Sequence, residues 1–186
     1  MGALDAILHR IVAERRASGE TRDDLLSMLL EARDEETGEG MTDKQLRDEL
    51  VTLFLAGHET TAIALTWTFH LLAQTPRAEA ILQAEVDEVL GTGPTARLAP
   101  AFEDLEKLQY ARMVAEEAMR LYPPAYVFSR RALGDDQLGP YRMPAGAHIV
   151  ISPYAIHRRP DYWPEANEFW PERFAPGARK IGRAHV

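Results

Sequence analysis

No cysteine occurs among the 186 residues, which excludes disulfides and any metal site that this chain would build from thiolates. An excess of positive charge is missing as well. The 29 acidic and 21 basic side chains leave a formal charge of −8 and a pI near 5.3, the wrong sign for a nucleic-acid surface. No apolar run follows Met1 as a secretory signal or anchor requires. The opening MGALDA lacks the Ser or Thr at the sixth position that N-myristoylation needs. Internal repeats and low-complexity linkers are absent too. What remains is an apolar content of 46%, enough for a sizeable core. The expectation is a soluble, cytoplasmic chain forming one domain or a large part of one, with no nucleic-acid partner and no membrane anchor.

The stretch from Met41 to Ala73 organises the rest. Thr42 suits a cap, Asp43 the positive end of the helix dipole, and Gln45 the return position of a capping box. From Leu50 onward apolar residues fall on every face, the pattern of a fully buried helix. Roughly 30 residues at ~1.5 Å each give a rod of about 45 Å. Its middle, Ala56-Gly57-His58-Glu59-Thr60-Thr61, is polar where packing alone asks for nothing polar. A glycine inside a helix costs about 1 kcal/mol relative to alanine, and a buried carboxylate costs more unless paired. Paired threonines can bond back to the preceding turn and bend the helix. Several such costs in one turn mark a site.

Two other readings of this stretch fail. A membrane span is broken by Asp48, Glu49, His58 and Glu59. A zinc-protease helix of H-E-x-x-H type needs a second histidine where Ala62 stands. A kinked core helix without a site stays open on this motif alone.

The helix AGHETT resembles the central helix of the cytochrome P-450 family, the heme-thiolate monooxygenases, whose motif [A/G]-G-x-[D/E]-T-[T/S] lies over the heme. The resemblance implies that Ala56 and Gly57 give dioxygen room beside the backbone. It implies that Glu59 and Thr60 form an acid–alcohol pair delivering protons, a hydroxyl next to the oxygen and a carboxylate linking it to solvent. His58 is then a spectator. A second element, Glu117-Ala118-Met119-Arg120-Leu121-Tyr122-Pro123-Pro124, resembles the family's E-x-x-R helix before its double proline. With Arg173 of Pro171-Glu172-Arg173-Phe174, the resemblance implies a buried structural network of Glu117, Arg120 and Arg173. Arg130 matches a position that salt-bridges a heme propionate, and a solvent-facing strand arginine is the equal alternative. Residues from Ala125 to Phe128 would line the substrate pocket. In His157-Arg158-Arg159-Pro160 the family's H-R-D-P turn carries Arg159 in place of Asp, and His157 reads as a packed turn residue.

Around these motifs, amphipathic helices are expected over Leu4–Ala17, Asp23–Arg33, Pro76–Leu90 and Phe102–Leu121, and strands over Tyr126–Ala132 and Ala147–Ser152. The fold class is mainly α with a small β-sheet, a partial cytochrome P-450 fold on a long central helix. The resemblance implies heme b, dioxygen, a small hydrophobic substrate, and NAD(P)H electrons through a ferredoxin- or flavodoxin-type or fused reductase. The family's F-x-x-G-x-x-x-C-x-G loop, whose cysteine ligates the iron, has no counterpart here, so no metal ligand is assigned. Residues 1–179 read as a partial domain, and the closing 180–186 resemble a translated sequencing adapter. The isolated chain is therefore expected to be inactive. The competing class is a non-catalytic helical remnant or binding module, which would have no use for Glu59 beside Thr60.

Overall fold

A computed structural model describes residues 2–97 and 99–178. The stretch 180–186, read as adapter-derived, lies outside the described residues. Two compact units meet inside the long helix, between Glu59 and Thr60.

In the first unit, α1 (Ala3–Ser18) ends at Gly19, whose φ of 62° is the left-handed geometry glycine adopts cheaply. α2 (Leu25–Glu31) is capped by Asp24, which accepts the Ser27 amide at 2.9 Å. Arg15 of α1 grips the same carboxylate at 2.9 and 2.7 Å and donates to Ser27 Oγ at 2.7 Å. This guanidinium, with the Ser27 amide, holds the Asp24 carboxyl well below the usual carboxylate range. α3 (Asp43–Gln74) opens with the expected capping box. The Thr42 amide donates to Gln45 Oε1 at 2.9 Å, and the Gln45 amide returns to Thr42 Oγ1 at 3.3 Å. Leu8, Leu26 and Leu46 are the buried apolar residues of this unit.

α3 is assigned without interruption over 32 residues. Beyond the polar turn, Thr66 donates to the Ala62 carbonyl and Thr68 to that of Ala64, both at 2.7 Å. Burial differs from the expectation. Leu53, Phe54, Leu55, Leu65 and Phe69 are 40–66% exposed, and burial resumes at Leu71 and Leu72. An all-round apolar pattern records what a helix is built to pack against, and residues 52–62 are exposed.

The second unit builds its core where α3 ends. α4 (Pro76–Leu90) starts with proline in the first turn and stops at Gly91, φ 84°. Leu72, Ala78, Tyr110 and Val114 form one buried cluster. Leu71, Ala118 and Leu121 form a second, and Phe169 packs against both. The expected helix over Phe102–Leu121 divides into a 3₁₀ turn, Phe102–Asp104, and α5 (Gln109–Leu121). Asp104 explains the break. Its carboxylate turns inward to take the Ala101 amide at 2.9 Å, Lys107 Nζ at 3.0 Å and Arg97 at 2.6 Å, a local competitor to helix hydrogen bonds. α5 then starts under a cap from elsewhere: Glu85 of α4 accepts the Tyr110 and Ala111 amides at 2.6 and 2.9 Å.

Two antiparallel pairs follow. β1 (Phe128–Arg131) pairs with β4 (His148–Ile151), with Arg130 opposite Ile149. Between them β2 (Asp136–Leu138) pairs with β3 (Tyr141–Met143). This inner hairpin was not anticipated from the sequence. Its signal was Gly139-Pro140, a two-residue turn with glycine at φ 57° in the first central position. The short helix α6 (Pro153–Ile156) and a 3₁₀ turn, Pro171–Phe174, complete the unit, and the latter packs on α5. No helix among the described residues is long and apolar enough to cross a membrane.

Candidate functional site

The polar turn of α3 is exposed along its length, Ala56 to Thr61. At 100° per residue, Ala56, Thr60, Ala64 and Trp67 recur on one face. Glu59 sits about a quarter turn away, because neighbouring helix residues do not face each other. A β-carbon built on Gly57 meets no atom within 4 Å, so the backbone at this turn is open to a close approach. His58 stacks on Phe54 one turn earlier, rings 5.4 Å apart and 7° from parallel.

Glu117, Arg120 and Arg173 converge. Glu117 is fully buried, and Arg120 and Arg173 are 2% and 7% exposed. Arg120 meets Glu117 in a two-point contact, Nε to Oε2 at 2.7 Å and Nη2 to Oε1 at 2.8 Å. Its remaining hydrogens go to the carbonyls of His157, Ala166 and Glu168 at 2.7, 2.8 and 3.1 Å. Arg173 approaches Glu117 Oε1 at 3.3 Å and donates to the carbonyls of Pro164 and Glu165. The Trp170 amide closes the shell on Glu117 at 3.0 Å. Every carbonyl so held belongs to 157–168, a segment with little regular structure. The network substitutes for the backbone hydrogen bonds that segment lacks.

His157 sits on this network. Its Nδ1 faces the Arg120 carbonyl at 3.2 Å, so Nδ1 carries the hydrogen, a carbonyl being only an acceptor. Burial, helped by the charges of Arg120 and Arg158 and opposed by that hydrogen bond, lowers its pKa from the ordinary 6.5. The folded state therefore binds the proton less readily than the unfolded one. The stability His157 contributes is complete above pH 6.5 and is lost as pH falls from there through the lowered value. Proton NMR titration of the ring is expected to give a midpoint below 6.5; one at or above it contradicts the packing described.

Arg130 is exposed on β1, donating to the Ser129 carbonyl at 3.1 Å with its guanidinium 5.2 Å over the Phe128 ring. Beside it Tyr126, Val127 and Phe128 are 64%, 39% and 39% exposed, an apolar surface next to a fixed cation. The Glu85 cap went unread because it joins residues 25 and 26 apart in sequence, beyond any local pattern.

The profile of the cytochrome P450 family, written here cytochrome P-450, matches residues 1–185. Cyclooctatin synthase of Streptomyces melanosporofaciens is 42% identical over 181 residues, covering 97% of this chain and 38% of that protein. Cyclooctat-9-en-7-ol 5-monooxygenase of the same organism is 42% identical over 172 residues, 92% of this chain and 36% of that protein. A crystal structure of a cytochrome P-450 superimposes with a TM-score of 0.86 at 31% identity, covering 96% of this chain and 41% of that one. The chain thus spans about two fifths of the length of these proteins.

Proposed function

The chain belongs to the cytochrome P-450 family, and from that premise we propose that it is part of a heme-dependent monooxygenase. The whole enzyme inserts one oxygen atom of dioxygen into a C–H bond, or across a double bond, of a small hydrophobic substrate. Electrons come from NAD(P)H through a ferredoxin- or flavodoxin-type or fused reductase, in the cytoplasm. The observation that carries the reading is the acid–alcohol pair, Glu59 beside Thr60, in an otherwise apolar helix.

The residues present fit one side of the heme. The open backbone at Gly57 and the small side chain of Ala56 suit a flat ring and a diatomic ligand approaching α3. Arg130 offers a guanidinium to a propionate. The other side does not fit, because a chain without cysteine has no thiolate donor. Heme, when bound, supplies the redox chemistry that activates dioxygen, with a thiolate pushing electron density toward O–O cleavage. This chain's own part is to hold a proton at Thr60 Oγ1, to relay its replacement from Glu59 through water, and to present an apolar wall from Tyr126 to Phe128. By itself the 186-residue chain is inactive on this reading.

A cyclic hydrocarbon is the substrate class we favour. One relative is named for 5-monooxygenation of cyclooctat-9-en-7-ol, and a cyclic, largely hydrocarbon substrate with few polar groups suits the exposed apolar side chains of this chain. The whole enzyme, supplied with NAD(P)H, a reductase and isotopically labelled dioxygen, is expected to place one labelled atom in such a product and the other in water. Product oxygen that carries no label contradicts monooxygenation, and no product at all favours the alternative, a non-catalytic helical module that keeps the family's core.

A further inference from the structure

One arrangement has no part in the network or in the proposed proton relay. The Trp67 and Tyr122 rings are stacked, centroids 3.9 Å apart and 5° from parallel. The Arg158 guanidinium lies 4.9 Å from the Tyr122 ring centre and 4.0 Å from that of Tyr154. It is fixed there by its hydrogen bond to the Leu121 carbonyl. Trp67 and Tyr122 are half-buried, and Tyr154 is 43% exposed. Indole and phenol are the side chains most easily oxidised by one electron, and here a Trp–Tyr stack and a second tyrosine across Arg158 lead to solvent. At the other end Trp67 follows Thr60 by seven residues, about 10.5 Å along α3 and within about 20° of the same face.

We propose that Trp67, Tyr122 and Tyr154 form a one-electron path that drains an oxidant generated on the Thr60 face to the protein surface. That direction of flow rests on the proposed function; the path itself does not. Trp67 gives one electron to the oxidant; Tyr122 refills Trp67 as its phenolic proton passes to water, and recovers a proton from water when Tyr154 refills it. Tyr154 releases its phenolic proton to water and becomes a neutral radical. A soluble thiol or enediol reductant then returns one electron, and water one proton, restoring the phenol. The fixed charge of Arg158 assigns the end of the path. A cation beside Tyr122 and Tyr154 opposes a radical cation on either ring, so the positive charge must leave as a proton, and Tyr154 is the ring that touches water.

The absence of cysteine makes the test clean. Thr60→Cys creates a single attachment point on the full chain for a ruthenium–polypyridyl photo-oxidant, flashed with a cobalt(III) quencher and no heme. Radical adducts with a nitroso spin trap are mapped by mass spectrometry. The expected result is an adduct at Tyr154 that is lost on Trp67→Phe and on Tyr122→Phe, both of which keep the ring stack. Tyr154→Phe is expected to prolong the tyrosyl transient on Tyr122. Tyr162 is 53% exposed and outside the stack, so Tyr162→Phe is expected to leave the Tyr154 adduct unchanged. A Tyr154 adduct that persists in Trp67→Phe and Tyr122→Phe overturns the proposal, as does labelling of Tyr162 equal to that of Tyr154. Because heme is absent throughout, neither result depends on the monooxygenase reading.

Discussion

Arg120→Ala is expected to destabilise the second unit by about 3–5 kcal/mol, the usual loss when one partner of a buried ion pair is removed. Three consequences act together. Glu117, fully buried, loses its two-point cation and keeps only the Arg173 contact at 3.3 Å and the Trp170 amide. The carbonyls of Ala166 and Glu168 lose their donor inside the protein. Between His157 and Glu168 the chain loses the anchor that fixes its path. Arg120→Lys is expected to rescue little, since an ammonium cannot reproduce the planar fork. Urea denaturation followed by tryptophan fluorescence measures this directly, because Trp163 lies against Arg120 at 5.2 Å. A loss below about 1 kcal/mol, the scale of an exposed pair, would remove the network from its structural role.

The second large effect is catalytic. In the whole enzyme, Thr60→Ala is expected to lower product formation about 10²-fold, the lower range for a lost general-acid contribution. Substrate affinity is expected to hold, since Thr60 contributes one hydroxyl and no apolar wall. Reductant consumption continues, so electrons appear as hydrogen peroxide instead of product. Glu59→Gln is expected to shift the balance the same way but less, because a neutral amide still holds the water through which the proton passes. In the 186-residue chain, where this turn is exposed, either substitution should change stability by no more than about 0.5 kcal/mol. The check is the ratio of product to NAD(P)H oxidised, alongside peroxide released. An unchanged ratio in Thr60→Ala would take proton delivery away from this residue.

Legibility followed the range of the interactions. The capping box at Thr42 and Gln45, the proline start of α4 and the glycine end at Gly91 rest on neighbours within four residues, and the sequence displayed them. The helix from Asp43 to Gln74 was legible in position, yet its burial was not. Leu53 and Phe54 record an affinity for apolar surface without naming the surface. Asp104 ended a helix that periodicity alone would have carried back to Phe102, because a side chain accepting three donors outcompetes a weak helical turn. Glu85 capped α5 across 25 residues, a juxtaposition that only the packing of α4 on α5 creates. The stack of Trp67, Tyr122, Arg158 and Tyr154 draws on three elements and left no trace in any one of them. Motif resemblance joined Glu117, Arg120 and Arg173 although Arg173 lies 56 residues from Glu117. The five carbonyls they hold were invisible, since a backbone oxygen has no letter in the sequence.

The ferrous–CO spectrum of the 186-residue chain reconstituted with excess heme tests the division of labour most directly. On the proposed function Glu59, Thr60 and the open turn at Gly57 furnish one face of the heme site, and a chain with no cysteine furnishes no thiolate for the other. The predicted result is a CO complex without the thiolate-type band, while the whole enzyme shows that band. A thiolate-type band from the 186 residues alone would contradict the account, because no group in them can produce it.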